Sequence, residues 1–439
     1  MAVEGREMTD GGPVWRDRAF LVLWLGQAMS EMGTAITTIV LPLIAITALG
    51  ASTAEVGVLK AMTSVAVLVA AVPAGLYIDR VSKRGLMVAC NLLRALVLLS
   101  VPAMALVGWL TMAWMYATAF LVGVAIVVFG IAYHSYVPIV VQRSRLPDAN
   151  ARIEVTESIA RVGGPSAGSL LNGRVGGPVT LVVDALLSLA SAVAFMFVPK
   201  DVPGERPRAG DAGSRHPWRR WGASVREGFA LLGANPPLAR TAATTVGSMF
   251  CLSMVNAVFL YYLVVDLGLS SVAVAVVFLV GESGGLLAAM GASFVMRLVG
   301  SARIMWLIAF LSPAGLLLVV APALPVTMAV GYLLLTSIRF VLFDISQYSY
   351  RQTACPMERL GSITASIRFC IGVASAAGAL IGGWLGVHLG SVGTVLVATV
   401  LMCLAAFPVL FSDIRRTRDI EDLPTVTSPQ RISGTTPPS

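Results

Sequence analysis

The chain has 439 residues, of which 57% are apolar and only 12% charged, with a formal net charge of +8. Soluble domains carry roughly 25% charged residues, so this composition excludes an ordinary soluble enzyme and a disordered chain, and the excess of basic residues does not mark a nucleic-acid binder. A membrane-crossing helix needs about 20 residues, and the apolar residues suffice for about twelve such helices.

Apolar runs of crossing length lie at 19–49, 55–78, 85–107, 112–137, 152–171 and 178–199, then at 240–265, 271–295, 303–321, 325–349, 362–386 and 391–411. The first run is too long for a secretory signal core and has no convincing cleavage site, so it is expected to stay as the first helix. Gly and Pro inside the runs are compatible with bundled membrane helices. The predicted fold is an all-α integral membrane protein, with twelve transmembrane helices in two six-helix bundles. Its expected divisions are a cytoplasmic tail 1–18, a bundle 19–199, a polar linker 200–239, a bundle 240–412 and a disordered tail 413–439 rich in Pro, Ser and Thr.

Orientation follows from the basic residues. Of 31 Lys and Arg, 25 fall on the side of the termini and the 200–239 linker, and one, Arg174, falls on the other. Basic loops mark the cytoplasmic face, which predicts both termini inside and a plasma-membrane location against an anionic inner leaflet. In the linker, Trp218, Trp221, Val225, Phe229 and Leu232 recur at helical spacing around Arg219, Arg220 and Arg226. This pattern predicts an amphipathic helix on the inner leaflet.

Cys90, Cys251, Cys355, Cys370 and Cys403 have no metal or redox spacing and read as packing residues. No phosphate-binding loop, zinc motif or nucleophile elbow occurs, so no cofactor, ATP-driven step or hydrolysis is expected. An internal repeat is visible: Arg145, Leu146, Ala151, Gly164 and Gly168 recur 214 residues later as Arg359, Leu360, Ala365, Gly378 and Gly382. A duplicated bundle is a common transporter architecture.

Between the second and third runs stand Gly75, Asp79, Arg80, Lys83 and Arg84. Gly permits close helix approach, Asp can face a helix N-terminus, and the basic residues hold the loop at an anionic leaflet. This loop resembles the signature of the major facilitator superfamily, with Ser82 where a second Gly is usual. The fifth run carries Gly163, Gly164, Pro165 and Gly168, similar to a motif of the exporter branches, with Ser169 in place of the last Gly. The stretch 145–168, the Leu23–Gln27 segment and the Arg351-Gln352 pair resemble the branch of macrolide-efflux and siderophore-export proteins. The basic residue that another drug-exporter branch carries in its fourth helix is absent between 112 and 137.

Ionisable residues at membrane depth are costly and point to function. Glu31 lies about 12 residues into the first run, roughly 18 Å deep at 1.5 Å per residue. Glu282, Asp344, Arg339, Arg94, Arg161 and Arg368 also lie inside runs. In the fold that the chain resembles, helices 1, 4, 7 and 10 line a central cavity, which ranks Glu31 and Asp344 ahead of Glu282 and Asp184. Desolvation and a nearby guanidinium shift a carboxylate in opposite directions, so alternating surroundings can load and release a proton. Glu31 is expected to be the coupling group, with Arg339 as partner across the cavity and Arg94 and Arg368 as further charge partners. Glu157 and Arg161, four residues apart, are expected to pair with each other, and Asp184 to be structural. Gln27, Tyr133, His134, Asn256, Tyr261, Tyr262 and Gln347 are the candidates for a substrate-facing wall, which suits an amphipathic organic cation or a neutral drug.

Taken with the resemblance, these residues predict a monomeric, proton-driven exporter of a small organic molecule working by alternating access. The alternatives are an uptake porter of the same fold and a membrane scaffold or sensor that does not transport.

Overall fold

In the computed structural model, the described residues are 17–78, 81–142, 145–199, 217–355, 357–410, 415 and 417–420. Every regular element among them is helical. The first six helices are α1 (Arg18–Leu49), α2 (Thr53–Tyr77), α3 (Lys83–Val107), α4 (Met112–Val140), α5 (Leu146–Val175) and α6 (Gly177–Met196). After the 200–216 stretch, which lies outside the described residues, come α7 (Pro217–Ala234), α8 (Pro236–Tyr261), α9 (Ser271–Val299), α10 (Ser301–Leu307), α11 (Leu316–Val319), α12 (Pro325–Ala354) and α13 (Met357–Leu410).

Short polar side chains start these helices. Asp17 accepts from Ala19 N at 2.9 Å, and Ser52 and Glu55 form a reciprocal capping box at the start of α2, each satisfying backbone N–H groups that have no intrahelical partner. Gly50, at φ +64°, ends α1 in the left-handed conformation that glycine adopts without a Cβ penalty. Gly390, at φ +71° inside α13, breaks that 54-residue element into two arms.

Nine of these helices are long and apolar enough to cross a membrane, or ten if α10 and the bent segment Leu311–Val319, at 41° to it, count as one. That number takes α13 once and omits α5. The expected count of twelve is therefore not reached by length and composition alone. α5 has the length, but Asp148, Arg152, Glu154, Glu157 and Arg161 interrupt its apolar surface. The expected single run at 303–321 is instead α10, a 3-10 stretch over 308–315 and α11. Pro313 inside this stretch has no N–H to give to a helix.

The first half packs α1 on α5 and α6, α3 on α4 and α6, and α2 on α4; the second packs α8 on α13 and α9 on α12. The repeat is structural. Gly164 and Gly168 leave room for Ala35, Ile36 and Val40 of α1, and Gly378 and Gly382 for Phe250 and Met254 of α8. Ile36 and Phe250, like Val40 and Met254, are again 214 residues apart. Two of the seams that join the halves are hydrogen-bonded. On one, Thr53 Oγ1 donates to Gly383 O at 3.1 Å, and a Cβ on Gly57 would stand 2.6 Å from Ala379 O. On the other, Ser166 donates to Ala275 O at 3.0 Å and Ser169 to Ser271 O at 2.9 Å.

Two expected divisions change. The amphipathic helix forms as α7, but it docks on the protein: Ser366 Oγ donates to Val225 O at 2.8 Å, Ser362 Oγ to Glu227 at 3.1 Å, and Val225 and Leu232 are buried. Phe229 is exposed, and the side chains of Trp218 and Trp221 lie outside the described residues. The tail expected to be disordered is docked at 417–420. Arg418 O accepts from Ala302 N at 3.0 Å, Asp419 Oδ1 accepts from Ser301 N at 3.1 Å, and Ile420 is buried. The N-terminus of α10 has unsatisfied N–H groups, and these contacts occupy them.

Candidate functional site

One face of α1 is polar: Gln27, Ser30, Glu31, Thr34 and Thr37 recur at helical spacing. It meets Asn91 and Arg94 of α3 and Asp184, Ser188 and Ser191 of α6. Arg94 Nη2 donates to Asp184 Oδ1 at 2.6 Å, and Nη1 donates to Thr34 Oγ1 at 2.6 Å and Ser30 O at 3.0 Å. Thr37 donates to Asp184 as well. Asn91 accepts from Ser30 at 3.2 Å and donates to Ser191 at 3.1 Å. Arg94 and Asp184 are 2% and 0% exposed, so these bonds compensate the desolvation of both ions. Gly33 is required here, because Asp184 and Arg94 occupy the place its Cβ would take. Arg94 is thereby the partner of Asp184, and this pair locks three helices together.

Glu31 sits beside this lock, half-buried, on a cavity lined by Ser30, Thr34, Cys90, Asn91, Arg94, Ala125, Ile126 and Phe129. Gln27 Nε2 donates to Glu31 Oε1 at 2.9 Å, and Glu157 of α5 lies next to the same amide. The charges that Glu31 feels are Glu157, Arg94 and Arg161. Two expectations change here. Arg339 does not face Glu31; it is buried in the other half and donates to Met402 Sδ at 3.1 Å. Its bulk is held by α12 packing, with Tyr332, Cys251 and Cys403 as its electrostatic neighbours. Arg161 makes its close ion pair with Glu154, at 3.4 Å, rather than with Glu157. Glu157 points instead toward Gln27, and lies within electrostatic range of His134 and Arg161.

In the second half, Asp344 accepts from Gln347 Nε2 at 2.7 Å, and Gln347 Oε1 accepts from Thr245 at 3.0 Å. Arg351 and Arg368 are the cations that act on Asp344; Arg368 is exposed. Glu282 of α9 accepts from Ser337 at 3.1 Å and feels Arg161 of the first half. Among the described residues, no group of three or more His, Cys, Asp or Glu could hold a metal ion.

The structure keeps Gln27 and Tyr133 near Glu31 and disperses the rest of the expected substrate wall. Tyr133 is fully buried beside Phe129, with ring centroids 6.0 Å apart, and His134 is exposed. Asn256 is exposed on α8, and Tyr261 is half-buried in the apolar core. The Tyr262 hydroxyl is committed to Leu318 O, which makes that residue a packing element.

Of the signature loop, Asp79 and Arg80 lie outside the described residues, as does the side-chain environment of Gly75. Ser82, standing where Gly is usual, caps α3 by accepting from Gly85 N at 3.1 Å. Lys83 is buried, and Arg84 donates to Met196 O of α6. Pro165 is buried between Gly164 and Gly168 in the α5 face against α1. Sequence reasoning passed over Lys60, whose ammonium donates to Thr38 O of α1 at 3.1 Å. A lone Lys in the second apolar run was the available signal.

The profile of the Major Facilitator Superfamily matches residues 23–379. No curated protein matches the chain by sequence. Among solved structures, a mutant of the nucleoside transporter NupG superposes with a TM-score of 0.71 at 14% identity, over 90% of this chain and 100% of that one. A bacterial homologue of the human lysosomal transporter Spinster, inward-facing and occupied, gives 0.67 at 13%, over 93% and 98%. A bacterial homologue of the iron transporter ferroportin, inward-facing, gives 0.67 at 14%, over 89% and 98%.

Proposed function

The chain belongs to the Major Facilitator Superfamily and is a multi-pass membrane protein, a transporter and not an enzyme, and we propose that it exports a small organic molecule in exchange for protons. The observation that carries this reading is Glu31. It is a membrane-depth carboxylate on a cavity, held by an amide and by no ion pair among the described residues. Such a group can gain and lose a proton as its access to water alternates. Asp344 and Glu282, each bonded by a neutral side chain, are the secondary candidates.

The proposed machine has twelve crossings, with α5 and both arms of α13 among them. The contacts between halves include the 53–57 end of α2 and the 166–169 stretch of α5. With both termini placed in the cytoplasm by the basic loops, the 53–57 contacts fall toward the outer face, which supports an inward-open state. Rocking of the halves about this site would then expose it alternately to either side. One proton entering down 100 mV supplies about 2.3 kcal/mol, a gradient of roughly 50-fold for a neutral substrate exchanged one for one. The likeness to nucleoside and metal transporters concerns the fold, and the drug or natural-product assignment rests on the motif of α5.

Inside-out vesicles of the plasma membrane test the proposal. An acid interior should drive substrate accumulation. Accumulation driven by the opposite gradient would assign uptake, and absence of any coupled movement across a susceptibility-guided substrate panel would favour a scaffold or sensor.

A further inference from the structure

The pairing of Glu31 with Glu157 carries a more specific conclusion, which rests on the transport reading above. Gln27 Nε2 donates to Glu31 Oε1 at 2.9 Å, and Glu157 stands close enough to the same amide and to Glu31 to interact with both electrostatically. Gln27 is 2% exposed, yet its Oε1 accepts no hydrogen bond among the described residues. Tyr133 of α4 is 0% exposed, its hydroxyl makes no hydrogen bond there either, and it interacts electrostatically with both carboxylates. A buried polar atom without a partner loses its hydration and gains nothing in return. Two of them beside one acid pair mark a place where a ligand supplies what is missing.

The charges around the pair set the sign of that ligand. Glu31, Glu154, Glu157 and Asp184 face Arg94 and Arg161, and exposed His134 faces Glu157. Arg94 is neutralised by Asp184 at 2.6 Å, and Arg161 by Glu154 at 3.4 Å. Among the described residues, neither Glu31 nor Glu157 makes an ion pair of its own. Their oxygens and Gln27 Oε1 are acceptors, which calls for a ligand rich in N–H donors. The aromatic faces of Tyr133 and Phe129, stacked within 16° of parallel, stand next to it.

We propose that Glu31, Glu157, Gln27 and Tyr133 form a cradle for the protonated amine of an amphipathic organic substrate, with Glu157 as the second carboxylate of the site. The ammonium donates to both carboxylates and to Gln27 Oε1, and the apolar body of the substrate extends toward the cavity lined by Ala125, Ile126 and Phe129.

The test is equilibrium binding to purified full-length protein, with no gradient. The probes are a dansyl-tagged primary alkylamine and its N-acetylated, neutral counterpart, read by fluorescence anisotropy. The wild type should bind the amine at least tenfold tighter than the amide, and Glu157→Gln should remove most of that preference without weakening the amide. Tyr133→Phe, which keeps the ring, should reduce the preference about threefold. A measurement on unaltered protein guards against misfolded variants: carbodiimide labelling of Glu31 and Glu157, read by mass spectrometry, should be blocked by the amine and not by the amide. Equal binding of both probes, binding of neither, a preference that survives Glu157→Gln, or labelling indifferent to the amine overturns the cradle. Proton coupling is read separately in vesicles, so a cradle that fails beside intact acid-driven transport, or a cradle that stands without it, tells the two proposals apart.

Discussion

Arg94 of α3 and Asp184 of α6 meet at 2.6 Å with almost no exposure, and Ser30, Thr34 and Thr37 of α1 complete their hydrogen bonds. This relationship ties three helices of the first half through one ion pair. Removing one partner of such a pair typically costs about 3–5 kcal/mol, because the other charge stays buried. Asp184→Asn should therefore lower the melting temperature in detergent sharply. Arg94→Met combined with Asp184→Leu should recover most of the loss. A double variant as unstable as Asp184→Asn would show that the network, rather than the stranded charge, sets the cost.

Gly57 of α2 has Ala379 O and Gly383 Cα of α13 at 2.6 Å and 2.8 Å from where a Cβ would stand. Both neighbours are backbone, so neither can yield by changing rotamer. Gly57→Val should keep the halves from closing at this end, and overpacking of this kind costs about 1–3 kcal/mol. Disulfide formation between Thr53→Cys and Gly386→Cys in a cysteine-free background reads the closure directly. The yield should fall at least fivefold when Gly57→Val is added, and an unchanged yield would mean that the contact is not a gate.

Asp419 caps the N-terminus of α10 through Ser301 N and Oγ, at 3.1 Å and 3.4 Å. Loss of a capping side chain costs about 1 kcal/mol, which corresponds to roughly fivefold faster opening. Asp419→Ala should accelerate amide hydrogen exchange over residues 301–304 by that factor and leave α2 unaffected. Exchange that does not change would show the docked tail to be incidental to α10.

The helical, duplicated, membrane-crossing plan was legible in the sequence because it rests on run length and small-residue spacing. Gly164 and Gly168 could be matched to Gly378 and Gly382 before any contact was known. Of the polar stripe on α1, only Gln27 and Glu31 stood out in the sequence, because Ser30, Thr34 and Thr37 are small residues common in packed membrane helices. Which partner each stripe residue takes was not visible, because pairing across helices depends on rotation and depth that periodicity leaves open. Glu157 and Arg161 illustrate this. Their spacing of four permits a pair, yet Arg161 reaches Glu154 at 3.4 Å while Glu157 turns to Gln27. Arg339 was similarly assigned by helix number across the cavity, whereas the packing of α12 holds it against Met402. The 303–321 segment is apolar over nearly all its length and reads as one helix in the sequence, whereas Pro313 falls in the 3-10 stretch that divides it.

Glu31→Gln separates coupling from architecture. The substitution keeps the shape and the side-chain length, and the new amide can still accept from Gln27 through its oxygen. It cannot titrate. Glu31 makes no ion pair among the described residues, and it accepts a hydrogen bond from Gln27 at 2.9 Å. No guanidinium is therefore stranded by the change, since Arg94 remains with Asp184 and Arg161 with Glu154. The variant should fold with near wild-type yield and run as a single species in gel filtration. In inside-out vesicles, acid-driven accumulation should fall at least tenfold, while downhill exchange of substrate persists. A variant that misfolds would assign Glu31 to architecture. A folded variant that still accumulates substrate against its gradient would move the coupling role to Asp344, whose carboxylate is held by Gln347 at 2.7 Å, or to Glu282, held by Ser337 at 3.1 Å.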